Sequence, residues 1–168
     1  SLFNNINIFL PNNTFHLWFL YYLLLISLAS FIVGIILKKA PLISKNIIGI
    51  FDPITKYPFL KLLVFSTLTF GLLYLMDMQW VATSGGWIPD FNTFIFYSFF
   101  YIFGWILFKS KQPLEQLTDY DWLFTFLGLL LLTIKFFFVD SLSKEIIMLF
   151  NAVIVWSLSF GITGLFIR

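Results

Sequence analysis

A single histidine, His16, stands at the mouth of a long apolar run, the side chain here best suited to move a proton at neutral pH. Its unperturbed pKa of about 6.5 lets a neutral imidazole take a proton from an alcohol. At that place a hydroxyl acceptor could reach it, and desolvation would tune its basicity. Water and lipid headgroups would equally hold a polar ring there, as they hold its neighbour Trp18. The second place for chemistry is the segment MDMQWVATSGGWIPD, which carries Trp80, Trp87, a Gly85-Gly86 pair and the acids Asp77 and Asp90. Flat aromatic faces stack on sugar rings, and Asp90, Thr83 and Ser84 offer hydrogen bonds, so this segment could close over a glycan. It also reads as a turn with interfacial tryptophans. Asp90, just after Pro89, suits the N-cap of a helix starting near Asn92, where a carboxylate accepts orphan backbone N–H groups. The cap is the favoured reading.

Other chemistries find little support. Without cysteine there is neither a disulfide framework nor a thiolate metal site, and one histidine makes a histidine-rich metal centre a poor expectation, so no metal is assigned. No phosphate-binding glycine loop, Ser-His-Asp order or intramembrane carboxylate pair occurs. Asp77, Asp140 and Glu145 fall at helix ends, where solvation accounts for them, and Asn151 is the deepest strongly polar side chain in its span. A net charge of +2 without a basic run leaves no nucleic-acid footprint.

The elements that must position these groups are membrane spans. Sixty per cent apolar residues, 24 Phe and 11% charged residues leave too little polar surface for a soluble globule. A hydrocarbon core about 30 Å thick takes roughly 20 helical residues, and the run from Phe15 to Leu37 carries no formal charge when His16 is neutral. The expected architecture is an all-α, polytopic transmembrane bundle of five helices, at about 15–37, 59–76, 92–108, 122–139 and 146–167. Lys38, Lys39, Lys45, Lys56, Lys61, Lys109, Lys111 and Arg168, eight of the ten basic residues, then lie on one side. The positive-inside rule makes that side cytoplasmic, with the N-terminus outside and the C-terminus inside. Lys135 near the end of its span can snorkel to the outer interface. Trp18, Tyr21 and Tyr22 would anchor the outer interface, Tyr120 and Trp122 the inner one. Small and hydroxylated residues recur at helical spacing as Ser27, Ser30 and Gly34, as Thr67, Gly71 and Tyr74, and as Ser157, Gly161 and Gly164, faces suited to close helix packing. The stretch NIIGIF is expected along the inner surface, with Ile47, Ile48 and Phe51 in the headgroup boundary and Lys45 and Lys56 meeting anionic lipid.

Two segments and a tail form an ordered pattern. His16-Leu17-Trp18-Phe19-Leu20-Tyr21-Tyr22-Leu23-Leu24 is followed by Ile88-Pro89-Asp90, then Tyr97-Ser98-Phe99-Phe100-Tyr101-Ile102-Phe103-Gly104-Trp105, then GITGLFIR at 161–168. In order and spacing this resembles the acyltransferase 3 family of integral membrane enzymes, in its glucan-modifying branch. The resemblance implies transfer of an acetyl or succinyl type group from acyl-CoA, the donor, to a hydroxyl of a cell-envelope carbohydrate. The same likeness implies a bundle of about ten membrane helices and a bacterial plasma membrane location; contacts with membrane lipid follow from the spans, and no bound cofactor is implied. Residues 1–168 would be one transmembrane domain, the middle part of a larger one, because the opening Ser-Leu-Phe-Asn-Asn and the closing Arg168 both read as cut from a longer chain. The family's catalytic histidine lies in an opening helix beside an arginine-bearing start, and nothing here matches it. The principal catalytic centre is therefore expected outside these residues, which alone would not turn over substrate. His16 stays a candidate catalytic residue and, with Trp18, Tyr97 and Asp90, a candidate for binding the carbohydrate; Gly104 would permit close helix approach. Half of a transporter or permease, or a non-catalytic scaffold with an aromatic face for a partner helix, are the other readings of the same spans.

Overall fold

The computed structural model describes residues 18–38, 49, 51, 53–81, 89–109, 116–138 and 142–168. They are all-α, without a strand among the described residues: α1 is Trp18–Lys38, α2 Pro58–Leu75, α3 Phe91–Lys109, α4 Asp121–Phe138 and α5 Lys144–Ile167. Each contains a stretch long and apolar enough to cross a membrane, with mean hydropathy between 1.6 and 2.1. At 1.5 Å per residue, 18 residues extend about 27 Å, close to the hydrocarbon thickness. Helices are what such runs become, because a backbone in lipid must satisfy its own polar groups. The chain thus has the architecture of an integral membrane protein.

Local chemistry sets the helix ends. Pro58 opens α2, where its missing N–H costs nothing. The same helix closes on Asp77 in the left-handed region, φ 54°. There the Asp77 N–H donates to the Tyr74 carbonyl and the Met78 N–H to that of Leu73, both at 3.1 Å, a termination that usually employs glycine. Ser143 precedes α5 in an extended conformation.

The chain falls into two compact units, and the division lies within α3. The first holds α1 and the segment through Ile102; the second holds the segment from Ala40 to Trp80 and everything from Phe103 onward. In the second unit α5 packs against both α2 and α4. Its core is aromatic. Phe65, Phe103 and Trp156 pack with ring centroids 4.7 to 4.9 Å apart, Phe103 edge-on to the other two, and Phe160 joins Trp156 at 5.2 Å. The Trp156 indole donates to the Thr69 hydroxyl at 2.7 Å. Leu158 lies against Gly128, and the backbone of Thr125 lies against Gly161 so closely that a Cβ there would sit 2.5 Å from the Thr125 nitrogen.

Several expectations change. The face of α5 bearing Ser157, Gly161 and Gly164 is buried, as its small residues suggest. In α2, however, the buried face is Lys61, Phe65, Ser66, Thr69 and Leu73, while Thr67 and Tyr74 are exposed and a Cβ on Gly71 would touch nothing. Gly34 and Gly104 likewise have open space around the missing Cβ, so Gly104 does not serve close approach among the described residues. Phe51 turns inward onto Phe65 and Phe103, at 5.9 and 5.7 Å, rather than toward headgroups. An aromatic ring gains more from an aromatic cleft, about 0.5–1.5 kcal/mol per well-oriented pair, than from a mixed interface. Ile47, Ile48 and Lys45 lie outside the described residues, and Lys56 is exposed.

Candidate functional site

In the first unit, three of the four residues singled out from sequence come together. Trp18 and Tyr22 are one turn apart on α1, with ring centroids 6.4 Å apart. Asp90 and Tyr97, seven residues apart, share a face of α3 and its cap because seven residues are nearly two helical turns. The faces meet: the Tyr97 ring lies 5.8 Å from Trp18 and 6.5 Å from Tyr22. Tyr22 is not an interface anchor. It is 1% exposed, and its hydroxyl oxygen accepts the backbone N–H of Asp90 at 2.7 Å. His16, two positions before α1, lies outside the described residues, as do Thr83, Ser84 and Trp87; Trp80 is exposed.

Asp90 is the N-cap of α3. Its Oδ2 accepts the Thr93 backbone N–H at 2.8 Å and the Thr93 hydroxyl at 2.7 Å. Those two bonds, the hydroxyl's first, hold the exposed carboxyl below the usual carboxylate range. Its Oδ1 accepts no hydrogen bond from the described residues. The arrangement is a pair of part-exposed rings, Trp18 and Tyr97, backed by the buried Tyr22 and near a fixed anionic oxygen, suited to a flat apolar face carrying hydroxyls.

The second unit has two polar clusters that sequence reading did not assemble. Lys61, counted with the loop lysines, is fully buried. Its ammonium donates to the Gln116 carbonyl at 3.1 Å and lies over the rings of Phe160 and Phe124, 5.3 and 5.6 Å from their centroids. Nearby, Asp121 is 1% exposed; its Oδ1 accepts the Trp122 N–H at 2.7 Å and the Arg168 guanidinium at 3.1 Å, while its Oδ2 has no partner in the described residues. At the opposite ends of these helices Lys135 does not simply snorkel. Its ammonium donates to Asn151 Oδ1 at 2.5 Å, and the Asn151 amide donates to the Gln79 carbonyl at 2.6 Å. Lys144 pairs with Asp77 beside them. Among the described residues no group of three His, Cys, Asp or Glu side chains could hold a metal ion.

Two signals for these groups were present in the sequence. Lys61 is four residues before Phe65 and eight before Thr69, on one helical stripe, and Asp90-Phe-Asn-Thr93 has the N-cap to N3 spacing. Nothing local marks Tyr22 off from Tyr21. No protein-family model, curated protein or solved structure matches the chain.

Proposed function

We propose that the chain is part of a membrane O-acyltransferase that transfers an acetyl or succinyl type group from acyl-CoA to a hydroxyl of a cell-envelope carbohydrate. The supporting observation is the pair of aromatic rings of Trp18 and Tyr97 near the capped carboxylate of Asp90, together with the likeness to the acyltransferase 3 pattern in that same region. A sugar ring stacks on the pair and donates a hydroxyl to Asp90 Oδ1. In the transfer, the acceptor oxygen attacks the thioester carbonyl, a histidine takes its proton, the carbon–sulfur bond breaks, and the leaving thiolate is protonated. His16 is the candidate within these residues; the principal base belongs to the remainder of the longer protein. The proposed placement is a bacterial plasma membrane, with the acceptor side outside and the lysine-rich ends of α1 and α2 in the cytoplasm. Mass spectrometry of envelope glycans from cells with and without the complete gene tests the reading. Loss of an ester on deletion, restored by the gene, is the expected result; an unchanged glycan profile in expressing cells overturns it.

A permease is the second reading, favoured by one observation: Lys61 is buried within a candidate span, and intramembrane ionisable groups mark substrate or ion paths. Saturable substrate uptake without acylated product, abolished by Lys61→Met, would favour it.

A further inference from the structure

We infer that Tyr22 is a positioning residue for Asp90: from α1 it holds the backbone at which α3 begins, so that Asp90 Oδ1 faces a hydroxyl of a neutral sugar. The inference rests on the carbohydrate reading above and concerns a residue that reading does not need. In a capping box the N-cap side chain bonds the N3 backbone, and an acidic or amide side chain at N3 reaches back to the N-cap N–H. Here N3 is Thr93, whose hydroxyl donates to the same Asp90 Oδ2 that accepts its backbone N–H. Thr93 thus occupies Oδ2 and leaves the Asp90 N–H to another acceptor. Tyr22 supplies it from a different helix, at 2.7 Å.

Four hydrogen bonds therefore fix Asp90: its backbone N–H donates to Tyr22, its carbonyl accepts the Phe94 N–H at 2.9 Å, and its Oδ2 accepts two from Thr93. With the backbone and one carboxylate oxygen held, the direction of the other oxygen is set. Tyr22 cannot readily swing away, being buried against the rings of Trp18 and Tyr97. Carbohydrate hydroxyls are bound best by oriented acceptors next to an apolar plane, because the stacked face supplies contact area and the acceptor supplies register. Tyr22, itself buried, backs the apolar plane of Trp18 and Tyr97 and holds the acceptor.

The test uses the full-length protein and a β-linked glucotriose as probe. Binding is measured by calorimetry, and acyl transfer is measured with the same acceptor. Tyr22→Phe should weaken glucotriose binding roughly tenfold, the value of one lost hydrogen bond. It should raise the acceptor KM while leaving kcat and the donor KM unchanged. Asp90→Asn, which keeps a capping side chain but lowers its charge, should weaken binding too. In an Asp90→Ala background Tyr22→Phe should add nothing, because its action passes through Asp90. Additive losses, or unaltered binding in Tyr22→Phe, overturn the inference. Absence of acyl transfer in the wild-type protein would sink the enzymatic reading alone, since binding and its double-mutant pattern decide the role of Tyr22. Wild-type protein that fails to bind the probe overturns the inference as well.

Discussion

Replacing Lys61 separates the contribution of its charge from that of its stem. The ammonium's bond to the Gln116 carbonyl, a charged hydrogen bond, is worth about 1.5–3 kcal/mol. The two rings beneath it, at 5.3 and 5.6 Å, add about 0.5–2 kcal/mol each. Against this stands the desolvation of a buried ammonium, several kcal/mol, so the charge itself comes out near zero. Lys61→Met keeps a side chain of similar length and removes the charge, leaving the Gln116 carbonyl short of a donor; the net change should stay within about 2 kcal/mol of wild type. Lys61→Ala also removes three methylenes from a fully buried site. At about 0.8 kcal/mol each, plus the cavity they leave, alanine should cost about 2–5 kcal/mol more than methionine. Denaturant titration of the detergent-solubilised protein, followed by tryptophan fluorescence, reads both variants on one scale. Equal stability of the methionine and alanine variants would refute the reasoning, because it would mean that the stem is not packed between α4 and α5.

Asp90→Ala should cost about 1 kcal/mol through the lost cap, and Asp90→Asn much less, by the same titration. Because the folded carboxyl titrates below its unfolded value, its contribution is complete above the usual carboxylate range and disappears as pH falls through the folded value. Unfolding midpoints of wild type and Asp90→Ala should converge in acid. Gly161→Ala should destabilise by about 1–3 kcal/mol, since its Cβ would press on the Thr125 backbone, whereas Gly71→Ala, with nothing near the new methyl, should be neutral or stabilising by up to about 1 kcal/mol; reversal of that order would exclude the α4–α5 contact. The chain has no cysteine, so single-cysteine labelling tests the proposed orientation directly: Ser84→Cys should react with an impermeant maleimide on intact cells, and Lys111→Cys only after permeabilisation.

The five helices were legible in the residues because length and uniform apolarity are local properties. Expected spans such as 59–76 and 122–139 lie within one residue of α2 and α4 at each end, where Pro58 and the charges at Asp121 and Lys144 punctuate the chain. The cap at Asp90 was equally legible, since an N-cap bonds only to the next turn. Which face of each helix turns inward was decided by tertiary structure. In water the buried stripe announces itself by contrast with a polar one; a helix whose surroundings are lipid is apolar all round, and periodicity has nothing to detect. Hence Gly71 and Gly104, expected to allow close approach, meet open space, while Lys61, just inside its helix and expected on the cytoplasmic side, is buried with its ammonium over Phe124 and Phe160. Tyr21 and Tyr22 are alike in sequence, yet only the packing of α1 against the start of α3 makes Tyr22 the acceptor for Asp90. Hydrophobic content by itself determined what kind of protein this is and where its helices run; the pairing of Tyr22, Asp90 and Tyr97, and the burial of Lys61, exist only once distant segments share space, because long-range contacts between apolar faces leave no local mark.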